Sequence, residues 1–310
     1  MAENMIHATI NGKPVEIENG ATILKAAEKI GITIPTFCYI KDLDPEGSCR
    51  MCLVEIEGNP KLFTACSTPI AEGNVIYTES ERVIEARKFV LDLLLSKHNT
   101  HCFSCPQNGE CKLQQYSYEY GIEQTSFPNK MVLAPIDDSN PYFTYDPNLC
   151  ILCHRCVNTC KSIVGRGAIS TVERGYDSCV ANPFYKRWID NEQCEFCGNC
   201  VQACPVGALS TKNHKRYRVW EVEKVQNKCY NCKNNNGCER YLLIKNGEIV
   251  DVEAKMDEPN RGRICNRGRF EFYDVERPEQ VVKIQEQERE QSHAALLKDL
   301  GVKAFKTPTA

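Results

Sequence analysis

Cys194-x2-Cys197-x2-Cys200-x3-Cys204-Pro205 offers four thiolates at the spacing that holds one iron–sulfur cubane. A second run, Cys150-x2-Cys153-x2-Cys156-x3-Cys160, precedes it. Where two such runs occur together, the fourth cysteine of each ligates the cluster of the other. The spacing therefore predicts Cys150, Cys153, Cys156 and Cys204 on one [4Fe–4S] cluster, and Cys194, Cys197, Cys200 and Cys160 on its neighbour. Interleaved ligands force the two clusters close together, and close clusters pass electrons. All but Cys179 of the 20 cysteines fall into groups of this kind. The others are Cys38-x10-Cys49-x2-Cys52-x13-Cys66, His98-x3-Cys102-x2-Cys105-x5-Cys111, and Cys229-x2-Cys232-x5-Cys238 with Cys265.

Two other chemistries compete for these residues. Disulfides are disfavoured, because four cysteines within eleven residues are poor partners for one another but good cluster ligands. Tetrahedral zinc could occupy the set of one histidine and three cysteines, or the set from Cys229 to Cys265. Adjacency to the two ferredoxin-type runs favours iron–sulfur clusters at both. His101 competes with His98 as the nitrogen ligand. Cys179 has no partner set and reads as a small buried apolar residue. Arg155, Arg263 and Arg267 flank candidate ligands, where they either tune a cluster by charge or stand solvated.

The rest of the composition narrows the class. The N-terminus lacks a charged segment followed by an apolar one, and no twin-arginine signal is present, so the expectation is a cytoplasmic, reducing and oxygen-poor setting. No run approaches the ~20 apolar residues needed to span a bilayer. The formal charge is −3, and the expected clusters would add about nine negative charges, so non-specific nucleic-acid binding is not expected. There is no Gly-x-Gly-x-x-Gly turn, P-loop or lipid anchor, and no Ser/His/Asp or paired-carboxylate signature.

The elements that must position the cysteines form an α+β, multidomain pattern. Residues 1–80 read as a small unit with strands at Ile6–Ile10 and Val15–Ile17 joined through Asn11-Gly12. A helix over Ile23–Ile30 follows, capped by Thr22 and ended by Gly31. Further strands fall at Leu53–Ile56 and Val75–Tyr77. Residues 81–120 open with Thr78-x-x-Glu81 as a capping box for a helix. Its predicted apolar face is Val83, Ile84, Phe89, Val90, Leu93 and Leu94. Residues 121–148 read as a Pro-, Asn- and Asp-rich connector. Residues 149–216 hold the two-cluster unit, an internal repeat in which each run is followed by Gly-Ala and an apolar residue. Its end, Lys212–Arg218, is basic and reads as a linker rather than a docking patch. Residues 217–277 read as a β-rich unit with strands over Val219–Val225, Tyr241–Ile244 and Ile249–Val252, the last two joined through Asn246-Gly247. Residues 278–310 read as a helical tail for partner docking.

These motifs resemble the iron–sulfur large-subunit family of NAD-linked formate dehydrogenases, multimeric hydrogenases and respiratory complex I. Pro35-Thr36-Phe37-Cys38, Cys49-Arg50-Met51-Cys52 and Cys66 resemble its [2Fe–2S] domain, which implies a β-grasp-like ferredoxin. His98, Cys102, Cys105 and Cys111 resemble its histidine-ligated [4Fe–4S] segment. The two long runs resemble its bacterial-type two-cluster ferredoxin. Cys229, Cys232, Cys238 and Cys265, with Asn260-Arg-Gly-Arg263-Ile-Cys265, resemble the [4Fe–4S] domain of molybdopterin oxidoreductases. The resemblance implies one [2Fe–2S] and four [4Fe–4S] clusters, and a non-catalytic electron-transfer subunit of an NAD(P)-linked oxidoreductase. Implied partners are an NAD(P)H-binding flavin iron–sulfur subunit, a small [2Fe–2S] subunit, a terminal hydrogenase or electron-bifurcating module, and a soluble ferredoxin. A formate dehydrogenase is the alternative terminus, and a zinc-stabilised scaffold is the alternative of another class. Two departures stand out. No cysteine follows Cys265, so the expectation is an electron wire without a catalytic domain. The gap Cys232-x5-Cys238 is longer than the family's three residues.

Overall fold

The structure, a computed structural model, describes residues 5–128, 133–213, 217–229, 237–257 and 260–270. Cys232, the basic residues 214–216 and the tail over 278–310 lie outside the described residues.

The N-terminal unit is built on a hairpin. Strands β1 (Met5–Ile10) and β2 (Lys13–Glu18) pair antiparallel through Asn11 and Gly12, both at positive φ (50° and 77°), as a primed turn requires. Helix α1 (Ile23–Lys29) is capped by Thr22, whose Oγ1 accepts from the Lys25 amide at 3.3 Å. Strands β3 (Leu53–Ile56), β4 (Leu62–Thr64) and β5 (Val75–Tyr77) complete a five-stranded sheet of order β2-β1-β5-β3-β4. In it β1 and β5 run parallel. Ile10, Ile23, Leu24 and Ile76 fill the core between this sheet and α1.

Helix α2 (Glu81–Leu95) departs from the sequence expectation twice. Its cap is Ser80, whose Oγ accepts from the Val83 amide at 3.4 Å. Thr78 is engaged elsewhere: its amide donates to Asn11 Oδ1 at 2.9 Å, and its hydroxyl accepts from Asn11 Nδ2 at 2.6 Å. The buried stripe is Val83, Arg87, Leu91 and Leu95, four residues apart, whereas Phe89 is 60% and Leu93 51% exposed. The pattern misled because an arginine occupies a core position. Arg87 is 1% exposed, and its guanidinium donates to the Leu53 carbonyl and the Tyr120 hydroxyl, each at 2.8 Å. The chain continues through a 3-10 turn at Cys102–Ser104 into helix α3 (Lys112–Glu119).

The stretch read as a connector carries a strand, β6 (Phe143–Tyr145). Next come helix α4 (Arg155–Asn158), a wide π-turn over Thr159–Val164, and a hairpin of β7 (Ser170–Val172) and β8 (Cys179–Ala181). Cys179 is half-buried there, paired across to Val172. Helix α5 (Asn199–Ala203) and strand β9 (Leu209–Thr211) complete this part, and β9 pairs antiparallel with β6. A 3-10 turn at Val219–Glu221 replaces the start of the expected strand. Strands β10 (Glu223–Cys229), β11 (Cys238–Lys245) and β12 (Glu248–Ala254) then form an antiparallel sheet, with Asn246 and Gly247 at positive φ between the last two. Helix α6 (Asn266–Phe270) packs on β12. Among the described residues no helix is long and apolar enough to cross a membrane.

Candidate iron–sulfur centres

Among the described residues the cysteines of the N-terminal unit and of the two long runs form no disulfides. In the N-terminal unit the four thiols stand as two pairs. Cys52 and Cys66 Sγ are 3.3 Å apart. Cys38 bonds Cys49, whose sulfur also accepts the Phe37 amide at 3.5 Å. The hydrogen bond from Cys49 draws the Cys38 thiol down to about 5 against the opposing effect of burial, and Cys49 is raised as its partner. Cys66 and Cys52 stand in the same relation, the first lowered and the second raised by their shared bond. Two sulfur pairs in one unit would suit a two-iron cluster.

His98 follows α2 directly and is 6% exposed, with Nδ1 buried and unpartnered. Burial lowers its pKa to about 4, against a backbone hydrogen bond at Leu149 and the nearby Asp146. Its imidazole is therefore neutral at physiological pH, the protonation state a metal ligand needs. His101 is exposed. Cys102 and Cys105 lie close to Cys111: burial pushes the Cys111 thiol up to about 11, and the other two add to it. Gly207 abuts this group. A Cβ there would stand 2.5 Å from Cys105 Sγ, so the loop after Cys204 touches the histidine-containing set only because residue 207 is glycine.

The two long runs share one local backbone. Leu152 and Phe196 precede the second cysteine of each run, and His154 and Gly198 follow it; all four have positive φ, between 53° and 72°. This conformation turns amides toward sulfur: the Leu152 amide donates to Cys150 Sγ at 3.4 Å, and Phe196 bonds Cys194 in the same way. The thiols fall into two interleaved neighbourhoods. Burial raises the Cys156 thiol, and Cys150, Cys153 and Cys204 raise it further; Cys200 is raised by burial and then by Cys197, Cys194 and Cys160. Cys160, Cys194, Cys197 and Cys200 together line one small cavity. Four thiols around one cavity, three of them buried and each costly to ionise alone, fit a cationic iron–sulfur core that would hold them as thiolates. Among the described residues no set of three or more His, Cys, Asp or Glu side chains is arranged around a single metal ion.

In the last unit Cys229 and Cys238 face each other across β10 and β11, and Cys265 precedes α6. Gly268 lets that helix approach: a Cβ there would lie 3.2 Å from Cys229 Sγ. The fourth expected member, Cys232, lies outside the described residues.

Sequence reasoning noted Arg155 only as a flanking charge and missed the groups that fasten the units together. Arg155 donates to the Tyr39 carbonyl at 2.6 Å and to the Ala203 carbonyl at 2.7 Å. Arg269, 2% exposed, donates to the Cys197 carbonyl at 2.9 Å, to Asn199 Oδ1 at 3.0 Å and to the Val252 carbonyl at 3.0 Å. His154 bonds Glu46 at 2.9 Å. Their partners are distant in the chain, 17 residues or more, and are mostly carbonyls, which leave no pattern in a sequence.

Three stretches of the chain match models of iron–sulfur binding domains. Residues 3–81 match the 2Fe-2S iron-sulfur cluster binding domain, 87–126 the NADH-ubiquinone oxidoreductase-G iron-sulfur binding region, and 140–210 the ferredoxin-like domain of NADH-quinone oxidoreductase subunit 3. An NADH-quinone oxidoreductase subunit of Rhizobium meliloti is 39% identical over 270 residues, which cover 86% of this chain and 31% of that protein. The NADP-reducing hydrogenase subunit HndD of Solidesulfovibrio fructosivorans is 36% identical over 224 residues, 71% of this chain and 37% of that one. A crystal structure of NAD+-reducing [NiFe]-hydrogenase in the H2-reduced state contains a chain 30% identical, with a TM-score of 0.62, covering 67% of this chain and 87% of that one. The chain thus belongs to the iron–sulfur subunit family shared by NAD-linked hydrogenases and NADH-quinone oxidoreductases. It spans about a third of the length of the curated relatives it matches.

Proposed function

We propose that the chain is a non-catalytic electron-transfer subunit of a cytoplasmic NAD(P)H-linked oxidoreductase, holding one [2Fe–2S] and four [4Fe–4S] clusters. The observation that carries this reading is one apolar core containing members of three cysteine groups: Cys38, Cys111 and Cys153, packed with Phe37, Leu91 and Val206. Groups that share a dry core are near neighbours in a low-dielectric medium, as a conducting chain requires. Its ligands would be Cys38, Cys49, Cys52 and Cys66; His98, Cys102, Cys105 and Cys111; the two interleaved sets; and Cys229, Cys232, Cys238 and Cys265. The clusters, once bound, supply one-electron chemistry. The chain's own residues do the rest: they exclude water, donate amides to sulfur and fix the order of the sites.

A flavin subunit that takes hydride from the nicotinamide is the expected donor or acceptor at one end. A hydrogenase or electron-bifurcating module is the expected partner at the other, which the hydrogenase relatives support. Metal analysis of the anaerobically prepared protein tests the reading. One two-iron and four four-iron clusters come to about 18 iron atoms per chain. About 10 iron atoms with two zinc ions would reject the clusters at the His98 and Cys229 sites and favour a scaffold.

A further inference from the structure

In each long run the residue just before the third cysteine opens the following short helix: Arg155 opens α4 and Asn199 opens α5. The two side chains leave the repeat in different directions. Arg155 reaches the carbonyl of Tyr39, the neighbour of Cys38 in the [2Fe–2S] unit, while its Nε holds the carbonyl of Ala203, the neighbour of Cys204. Asn199 grips Ile264, the neighbour of Cys265, from both sides: Nδ2 donates to its carbonyl at 2.9 Å and Oδ1 accepts from its amide at 3.2 Å. One position of an internal repeat thus contacts the residue beside a cysteine of a flanking unit in both halves. Each junction also contains one guanidinium, supplied at the first by Arg155 itself. At the second it is Arg269, which bonds both Asn199 and the Cys197 carbonyl.

From this repeated geometry we infer that Arg155 and Asn199 are positioning residues that couple the two-cluster unit to its neighbours. Arg155 joins it to the [2Fe–2S] site and Asn199 joins it to the Cys265 site. The inference rests on the multi-cluster reading above and adds no chemical step. Three physical consequences follow. Hydrogen bonds from one side chain to the residues flanking two ligand sets fix the separation of those sets and bridge the gap with bonded atoms. A permanent cation beside the Cys150, Cys153, Cys156 and Cys204 set favours the added negative charge of its reduced state, so it raises that cluster's potential. Asn199 is neutral, so its removal should alter coupling at its junction with little change in potential.

The test uses the whole chain with its clusters reconstituted. Iron content and the unmodified protein's spectra check the multi-cluster reading by themselves. If those fail, the reading fails, and the variants bear only on the inference. Potentiometric titration followed by electron paramagnetic resonance then compares Arg155→Gln, Arg155→Lys and Asn199→Ala. Arg155→Gln should retain full iron, shift the Cys150-set cluster to lower potential, and weaken the relaxation coupling between the [2Fe–2S] signal and its neighbour. Arg155→Lys keeps the charge but cannot span two carbonyls with a planar fork. It should largely restore the potential and leave the coupling weak. Asn199→Ala should leave the [2Fe–2S] coupling intact and weaken only the coupling of the Cys265 cluster. Unchanged potential and coupling in Arg155→Gln at full iron would overturn the inference. So would loss of iron in both Arg155 variants, because that would make the residue part of site assembly rather than a coupling group.

Discussion

A cubane held by three thiolates and one imidazole carries one negative charge fewer than a cubane held by four thiolates, so it accepts an electron more readily. In Rieske centres the same exchange of imidazole for thiolate accompanies a higher potential. His98, buried and neutral with an unpartnered Nδ1, suits that role, and His101 is exposed. His98→Cys should therefore keep a cluster and lower its potential, read by potentiometric titration of the signal specific to that site. If His98→Cys leaves that signal untouched while His101→Ala abolishes it, the ligand is the other histidine. The candidate ligands stand out in the sequence because cluster geometry imposes short fixed gaps, and the interleaving of Cys160 and Cys204 is an expectation drawn from those gaps. Gly207 was not legible as part of a site. It contributes only by lacking a Cβ, and Cys105, which it must admit, is a hundred residues away.

At the scale of elements, α2 stands between the N-terminal sheet and the cysteine loops and meets both through its buried stripe. Helix α1, both hairpin turns and most strands of the two larger sheets could be read from a cap, Asn-Gly pairs and alternation. The facing of α2 could not, because Arg87 occupies the core position where the pattern expects a leucine. Its guanidinium is tolerated only because the Leu53 carbonyl and the Tyr120 hydroxyl accept from it. Arg87→Leu would strip both of that donor, at about 1–3 kcal/mol for each group left unsatisfied. Phe89→Ser on the exposed side should fall within about 0.5 kcal/mol of the parent. Hydrogen exchange is the suitable measurement, since a multidomain metalloprotein has no single unfolding free energy. Amides of α2 and β3 should lose protection in Arg87→Leu and keep it in Phe89→Ser. The reverse order would mean that the helix presents its phenylalanine face to the body.

Across the whole molecule the buried residues form two kinds of core. The N-terminal sheet and α1 enclose Ile6, Ile10, Val15, Ile23, Leu24, Ile34 and Ile76, and of the candidate ligand cysteines only Cys52 and Cys66 are among the buried residues described in this core. The core behind the two long runs is different in kind: Cys156, Cys194 and Cys200 are buried members, packed among Phe143, Trp188 and Phe196. Its helices are a turn or so long, α4 and α5, and its strands are three residues each, too short to be stable without what they surround. Burial, with the neighbouring cysteines adding to it, raises the Cys156, Cys194 and Cys200 thiols well above their ordinary range, so holding them as thiolates would call for the cationic core they would ligate. Oxidative removal of iron in the presence of a chelator should therefore act unevenly. Amides of β6, α4, α5 and β9 should lose exchange protection, while β1, β2 and β5 keep most of theirs. The N-terminal unit should retain its far-ultraviolet signal after its own cluster is gone, because its apolar core does not depend on the cluster. Loss of protection in β1 and β5 in step with β6 and β9 would show that the sheet, too, folds only around its metal. Full retention across residues 140–211 would show that the long runs are self-supporting, and that their cysteines are buried for packing rather than for ligation.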